Sequence, residues 1–168
     1  MNDEKHIISI LVSNKPGVLS RVSGVFGRLG YNIKSLCVAE TADTEISRIT
    51  LVSRANFDFT EKTKKQLDKL VDVIEVTELM PSESIGRELI LIGINMDEGQ
   101  KPEITRAIDM FGCSIIFMKS NYCILEVVGD KDKAETVINY LKPLGIKEIN
   151  RTGIIALQQE KGIPGGKS

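Results

Sequence analysis

The order of apolar patterns along the chain repeats once, and this repeat is the feature that most limits the possible folds. Residues 6–13 read HIISILVS, a β-branched run typical of a buried strand, and residues 16–29 carry apolar side chains at helical spacing. Two further strand-like runs, a second helical run and a fourth strand-like run end at residue 79. The same order begins again at Arg87. The pattern predicts an α+β protein of two tandem ferredoxin-like (βαββαβ) domains.

The boundaries of the predicted elements follow from where each pattern starts and stops. The first domain covers 1–79 and the second 87–158, joined by the linker MPSESIG at 80–86 and followed by a disordered tail at 159–168. Domains of this size have small cores, so we expect them to gain stability by joining sheets or by dimerising. The predicted strands are 6–13, 32–40, 46–54 and 73–79, then 87–94, 113–118, 122–128 and one within 146–157 that has a break near Gly153. The predicted helices are 16–29, 60–70, 102–111 and one capped by Asp130.

Composition excludes several classes of function. The formal net charge is -1 and aromatic residues make up 5%, so a nucleic-acid partner is not expected. No apolar run reaches the roughly 18 residues of a membrane span, and the N-terminus lacks the pattern of a signal peptide. We therefore expect a cytoplasmic protein without a membrane partner.

Cys37, Cys113 and Cys123 form no CxxC pair, and each is expected to be a buried small hydrophobe. The only histidine, His6, completes no metal-ligand or catalytic spacing.

The stretch NKPG at 14–17 has the features of a small-anion site. It follows a strand and precedes a helix, whose first amide groups have no partner inside the helix and attract an anion such as a carboxylate. Pro16 suits the first helical position, Gly17 permits close approach, and Gly30 suits the helix end. No carboxylate side chain stands in the turn, while Asn14 and Asn32 offer uncharged donors and acceptors at the two ends of the helix.

Two interpretations of this stretch stay open on the residues alone. The first is recognition of a free amino acid, with no group present to attack it. The second is ordinary turn punctuation by Pro-Gly, with an asparagine that caps the helix.

Several segments together resemble one family. The runs NKPGVLSRVSGVFGRLGYNIKSLCVAET, SRITLV and KQLDKLVDVIEVTEL resemble the ACT domain of the acetolactate synthase small subunit. RELILI and RTGIIAL resemble the start and the end of that family's C-terminal domain. The resemblance extends over nearly the whole chain.

The resemblance implies a regulatory role without catalytic residues, metal or cofactor in this chain. Such subunits bind the catalytic (large) subunit, which is expected to carry thiamine diphosphate, Mg and FAD, and they raise its activity and confer feedback inhibition, usually by valine. Their ACT domains pair side by side as a homodimer with the effector at the interface, the first turn coming from one protomer and the Gly-Tyr-Asn-Ile segment from the other. The implied effector-binding residues here are Asn14, Gly17, Val18, Asn32 and Ile33. Candidates for the apolar wall of the site are Val18, Leu36 and Val38.

Three alternatives remain at this point. A stand-alone ACT-type regulator of another enzyme or of transcription would share the site and lack the enzyme partner. An RNA-binding sheet would need exposed aromatic residues in a basic pattern, and the sequence shows none. An enzyme would need a nucleophile, a metal or an acid/base pair, and Asp43, Glu45, Asp130 and Asp132 fit loops or helix caps better.

Overall fold

The computed structural model describes residues 4–56 and 58–159, which form two units. One unit is Gly86–Ile154, and the other contains the described residues before and after it. None of the described helices is long and apolar enough to cross a membrane. The elements in chain order are β1 Glu4–Ser13, α1 Val18–Leu29, β2 Ile33–Glu40, β3 Ile46–Ala55, α2 Phe59–Leu67, β4 Val73–Glu78, β5 Ser84–Asn95, α3 Lys101–Phe111, β6 Ser114–Lys119, β7 Tyr122–Gly129, α4 Lys131–Leu141, β8 Ile146–Arg151 and β9 Ile155–Gln158.

The first unit is a four-stranded antiparallel sheet in the order β2-β3-β1-β4 with α1 and α2 packed on it. Ile8, Ile10 and Val12 alternate along β1 and meet Ile49 and Leu51 of β3 in the core. The helices cover this face with Val22, Val25, Phe26, Phe59 and Leu67, all buried. Because side chains alternate along a strand, the apolar set of β1 fixes which sheet face the helices cover.

The second unit repeats this architecture in the order β6-β7-β5-β8. Ile90, Ile92 and Ile94 of β5 pack with Leu125 and Val127 of β7 under α3 and α4. Asp130 caps α4 as predicted, because its side chain accepts a hydrogen bond from the Lys133 amide at 2.9 Å. The predicted α+β class with two ferredoxin-like sets of elements is confirmed.

The observed elements differ from the predicted ones mainly at their ends. The second helix ends at Leu67, three residues earlier than predicted, and Leu70 is only partly buried. β5 begins at Ser84, inside the segment predicted to be a linker. The strand predicted within 146–157 is divided into β8 and β9 at the predicted break near Gly153, and β9 pairs with β5. The break between them contains Gly153, whose φ of 75° is left-handed, where side chains other than hydrogen are strained. The predicted tail lies outside the described residues from 160 onward.

Gly93 lies under the ring of Tyr122 on the second sheet. A Cβ built on Gly93 would clash with the Tyr122 hydroxyl, and that hydroxyl donates a hydrogen bond to Glu148 at 2.9 Å. The same hydrogen bond raises the pKa of Tyr122. A side chain at position 93 would therefore force the Tyr122 ring to move away from its place over β5.

We expect Gly93→Ala to destabilise the protein by about 1 kcal/mol, since overpacking outweighs the gain of replacing glycine in a strand. The pKa of Tyr122 should fall towards its ordinary value because the displaced ring loses Glu148. Urea denaturation and an ultraviolet titration of the phenol measure the two effects. Gly99→Ala is the control, because no atom lies within 4 Å of a Cβ there. An unchanged tyrosine titration in Gly93→Ala would contradict the packing described.

Candidate functional site

The turn between β1 and α1 is built by Pro16 and Gly17. The Val18 amide donates to the Lys15 carbonyl at 3.3 Å, and Gly17 has φ 82° and ψ -7°. These angles belong to the third residue of a type II turn, with proline before it. Pro16 was predicted at the first helical position, and this is wrong. The helix starts at Val18, because the left-handed Gly17 cannot belong to it and is its N-cap instead.

The beginning of α1 has free backbone donors. No side chain among the described residues caps it, and no acidic residue lies in its first turn. The first helical hydrogen bond runs from the Arg21 amide to the Gly17 carbonyl at 3.1 Å, so the amides of Leu19 and Ser20 have no partner within the helix. Together with the helix dipole, such amides attract a small anion. The interpretation of Asn14 as the helix cap is thereby wrong.

Asn14 instead ties the turn to the end of β2. Its backbone amide donates to the Glu45 carbonyl at 2.7 Å, and its side-chain amide donates to Glu40 Oε1 at 3.0 Å and to the Thr44 carbonyl at 2.9 Å. Both hydrogens of the Asn14 amide are therefore used, and its Oδ1 remains as an acceptor with no hydrogen-bond donor among the described residues. The sequence did not indicate Glu40, because only the antiparallel pairing of β2 with β3 brings the end of β2 beside this turn.

Arg21 is a second neighbour that the sequence analysis did not assign to the site. Its Nη2 lies 2.5 Å from Asp72 Oδ2, and its Nη1 would lie 3.2 Å from a Cβ at Gly17. Asp72 is nearly buried, and its carbonyl accepts the Ser13 amide at 2.8 Å, so the arginine is anchored to the end of β1. The sequence could have indicated Arg21, because residues four apart on a helix are neighbours and Arg21 follows Gly17 by four residues.

The remaining predicted residues lie apart from this turn within one chain. Asn32 is exposed and follows the opposite end of α1, about 18 Å away for a helix of 12 residues. Its carbonyl accepts the Ser53 hydroxyl at 2.9 Å, and Ile33 pairs with Ser53 on β3. The structure thus brings together Asn14, Gly17 and the start of α1, and it does not bring Asn32 and Ile33 to them in one protomer.

The C-terminal end of α1 is closed by Gly30. Gly30 has φ 74°, its amide donates to the Gly27 carbonyl at 3.1 Å, and the Tyr31 amide donates to the Phe26 carbonyl at 2.9 Å. This is the Schellman motif, and it confirms Gly30 as the predicted helix end. The chain therefore leaves α1 in a fixed direction, which presents Asn32 at the surface.

The predicted apolar wall is divided between core and surface. Val18 is buried in the core of the first unit, and Leu36 packs against that core while partly exposed. Val38 is exposed on β2, an edge strand. Of the three, Leu36 and Val38 have side-chain surface left for a ligand.

The candidate nucleophiles do not form a second site. Cys113 and Cys123 are buried as predicted, and burial raises the pKa of both thiols, which disfavours the thiolate. Cys37 is only half-buried, so the prediction is wrong for it, because β2 is an edge strand. His6 is nearly buried, with Nδ1 2.7 Å from Glu78 Oε1 and its ring on Phe59. Across residues 4–56 and 58–159, no cluster of three or more His, Cys, Asp or Glu is placed to hold a metal ion.

Comparison with known proteins now adds to this geometry. Residues 8–75 match the model of the AHAS small subunit-like ACT domain, and residues 87–160 match the model named small subunit of acetolactate synthase. A probable acetolactate synthase small subunit from Archaeoglobus fulgidus is 41% identical over 153 residues, covering 91% of this chain and 96% of the relative. The acetolactate synthase small subunit of Mycobacterium bovis is 36% identical over 159 residues, covering 95% of each chain.

A solved structure agrees with these relatives. The crystal structure of the acetolactate synthase small subunit from Thermotoga maritima has a TM-score of 0.88 and 36% sequence identity, and the match covers 94% of this chain and 98% of that one. The resemblance predicted from the quoted motifs is confirmed on sequence and on fold. The chain belongs to the acetolactate synthase small subunit family, the regulatory subunits of that enzyme, and its N-terminal half is an ACT domain.

Proposed function

We propose that this chain activates an acetolactate synthase catalytic subunit and makes it sensitive to feedback inhibition by valine. In this proposal the ACT domains of two copies pair side by side, and valine binds where the turn of one copy meets Asn32 and Ile33 of the other. The thiamine diphosphate chemistry belongs to the catalytic subunit. The chain itself contributes a binding site and a conformational signal.

The observation that carries the proposal is the uncapped start of α1. The first turn has neither a side-chain cap nor an acidic residue, and it follows a left-handed Gly17 that leaves the backbone open to close approach. A helix start that served only the fold would gain from a capping side chain, and Asn14 stands beside it yet bonds elsewhere.

The charges around the turn suit both ends of an amino acid. The amides of α1 and the Arg21 guanidinium favour the carboxylate, while Glu40 and the free Oδ1 of Asn14 favour the ammonium group. An amino acid without a charged side chain satisfies this arrangement fully. The exposed parts of Leu36 and Val38 can then receive an aliphatic side chain.

Binding across two copies would couple the effector to the enzyme. A ligand held by both copies favours the arrangement in which its two half-sites fit, and it shifts the population by its differential affinity for that arrangement. The catalytic subunit, bound to the same dimer, then responds with a coupling of typically ~1–3 kcal/mol.

The direct test mixes the purified chain with its catalytic subunit and measures acetolactate formation with and without L-valine. We expect a higher rate on mixing, and a valine-dependent decrease that the catalytic subunit alone does not show. Calorimetric titration of L-valine into the chain alone should show binding. Valine binding without any effect on the enzyme would favour the stand-alone ACT-type regulator instead, and no binding at all would refute the site.

A further inference from the structure

Two hydrogen bonds fix the direction in which the side-chain amide of Asn14 points. Its Nδ2 donates to Glu40 Oε1 at 3.0 Å and to the Thr44 carbonyl at 2.9 Å. An amide turned over would place Oδ1 against these two oxygens, and neither of them has a hydrogen to donate. Oδ1 is therefore the atom left for a ligand, and no described residue donates to it.

The Glu40 carboxylate has one oxygen in use and one left. Oε1 accepts from Asn14, whereas Oε2 receives no hydrogen bond from the residues that the structure describes. Glu40 is the last residue of β2, an edge strand, and it is exposed. The uncharged Asn14 therefore holds a negative charge beside the turn without neutralising it. We call Glu40 Oε2 and Asn14 Oδ1 the acceptor pair.

We propose that Glu40 makes this turn selective for an amino acid over the 2-hydroxy acid and the 2-oxo acid of the same carbon skeleton. The inference rests on the proposed function, since it assumes that valine binds at the turn, and it adds the residue that decides between these ligands. All three compounds share the aliphatic side chain and the carboxylate that the amides of α1 would receive. They differ only in the group on C2, which would face the acceptor pair.

The group on C2 decides how well a ligand satisfies the acceptor pair. An ammonium group is positively charged and has three hydrogens, so it can donate to Glu40 Oε2 and to Asn14 Oδ1 together. A hydroxyl is uncharged and donates one hydrogen, and an oxo oxygen donates none and adds a third acceptor. A site built to hydrogen-bond a group rejects an analogue without the hydrogens, because its own polar atoms lose water and gain no partner. The affinity should therefore fall from amino acid to hydroxy acid to oxo acid.

Glu40→Gln tests this selectivity with almost no change of shape. The glutamine oxygen can keep the hydrogen bond from Asn14 Nδ2, and the glutamine nitrogen then donates where Oε2 accepted. Calorimetric titration of the whole chain with L-valine, 2-hydroxy-3-methylbutanoate and 3-methyl-2-oxobutanoate gives three affinities for each variant. Glu75→Gln is the matched control, because it removes the same charge from an exposed position on β4, the other edge of the same sheet. Circular dichroism shows that each variant is folded.

In the unchanged chain we expect L-valine to bind at least about tenfold more tightly than the 2-oxo acid. Glu40→Gln should weaken valine binding by roughly tenfold and strengthen binding of the 2-oxo acid, whereas Glu75→Gln should keep the preference. Equal binding of the two compounds to the unchanged chain, or a preference that survives in Glu40→Gln, would overturn the inference and leave the proposed effector site in place. Binding of none of the three compounds to the unchanged chain would instead refute the proposed function itself.

Discussion

Gly17→Asp is expected to reduce the affinity of the chain for L-valine by on the order of 100-fold or more. The new carboxylate would stand at the start of α1, where the proposed site binds the carboxylate of the effector, and two like charges ~4 Å apart repel by several kcal/mol near a protein surface before salt screening. The backbone adds a second obstacle, because φ at this position is 82° and a Cβ would lie 3.2 Å from Arg21 Nη1.

Two variants separate these causes. Gly17→Ala introduces the same backbone strain, of roughly 1–2 kcal/mol, without the charge, so its valine affinity should fall less. Gly24→Asp adds the same charge on the same helix at an exposed position with no atom within 4 Å of its Cβ, and its affinity should match the unchanged chain. Calorimetric titration compares all three. Wild-type affinity in Gly17→Asp would remove this turn from the effector site.

The part of the proposed site formed by Asn32 and Ile33 of the other copy predicts a smaller decrease in valine affinity. Asn32→Ala should also weaken valine binding, yet it should leave the stability of the chain nearly unchanged because the side chain is exposed. Asn14→Ala differs, since the Asn14 amide joins the turn to Glu40 and to the Thr44 carbonyl. A decrease in valine affinity for Asn32→Ala without loss of stability would therefore be the cleaner sign of a direct contact.

The fold could be predicted from the sequence because strand and helix periods are local signals. The apolar run at β1 and the helical stripe of α1 each needed only a few neighbouring residues to interpret. The predicted position of Pro16 failed because two turn types begin with the same residues, and the left-handed angle of Gly17 decides between them. The helical spacing of the apolar residues does not depend on φ of Gly17, so it could not show where the helix begins.

The candidate site could be predicted only in part, because some of its residues are neighbours in sequence and others are not. The free amides of α1 depend on local sequence, whereas Glu40 and Asp72 reach the turn through strand pairing and packing across the unit. Contacts between residues far apart in sequence leave no periodic signal in a single chain.

RELILI and RTGIIAL, the two segments that marked the C-terminal domain, meet in the structure through strand pairing, through hydrogen bonds between Leu89 and Thr152, and through an ion pair. Arg151 Nη2 and Nε donate to the two carboxylate oxygens of Glu88 at 2.5 and 3.2 Å, and Nη1 donates to Glu135 at 2.9 Å. The Glu88 side chain is only 6% exposed. The hydrogen bond to Glu88 raises the pKa of Arg151, so the guanidinium stays charged. The ion pair lies where β8 pairs with β5, at the position where Arg151 is opposite Ile90.

Arg151→Met is therefore expected to destabilise the protein by about 3 kcal/mol, since it leaves a buried carboxylate without its donors. Arg106→Met is the matched control: Arg106 pairs with Glu103 at 2.6 Å, but both side chains are exposed, so the change should be about 0.5 kcal/mol or less. The double variant Glu88→Leu/Arg151→Met removes both charges and should recover most of the loss, because an apolar pair has no desolvation cost. Urea denaturation followed by circular dichroism measures each value. If Arg151→Met and Arg106→Met cost the same, the buried carboxylate does not depend on Arg151, and the two segments are held by strand pairing and by the Leu89–Thr152 hydrogen bonds instead.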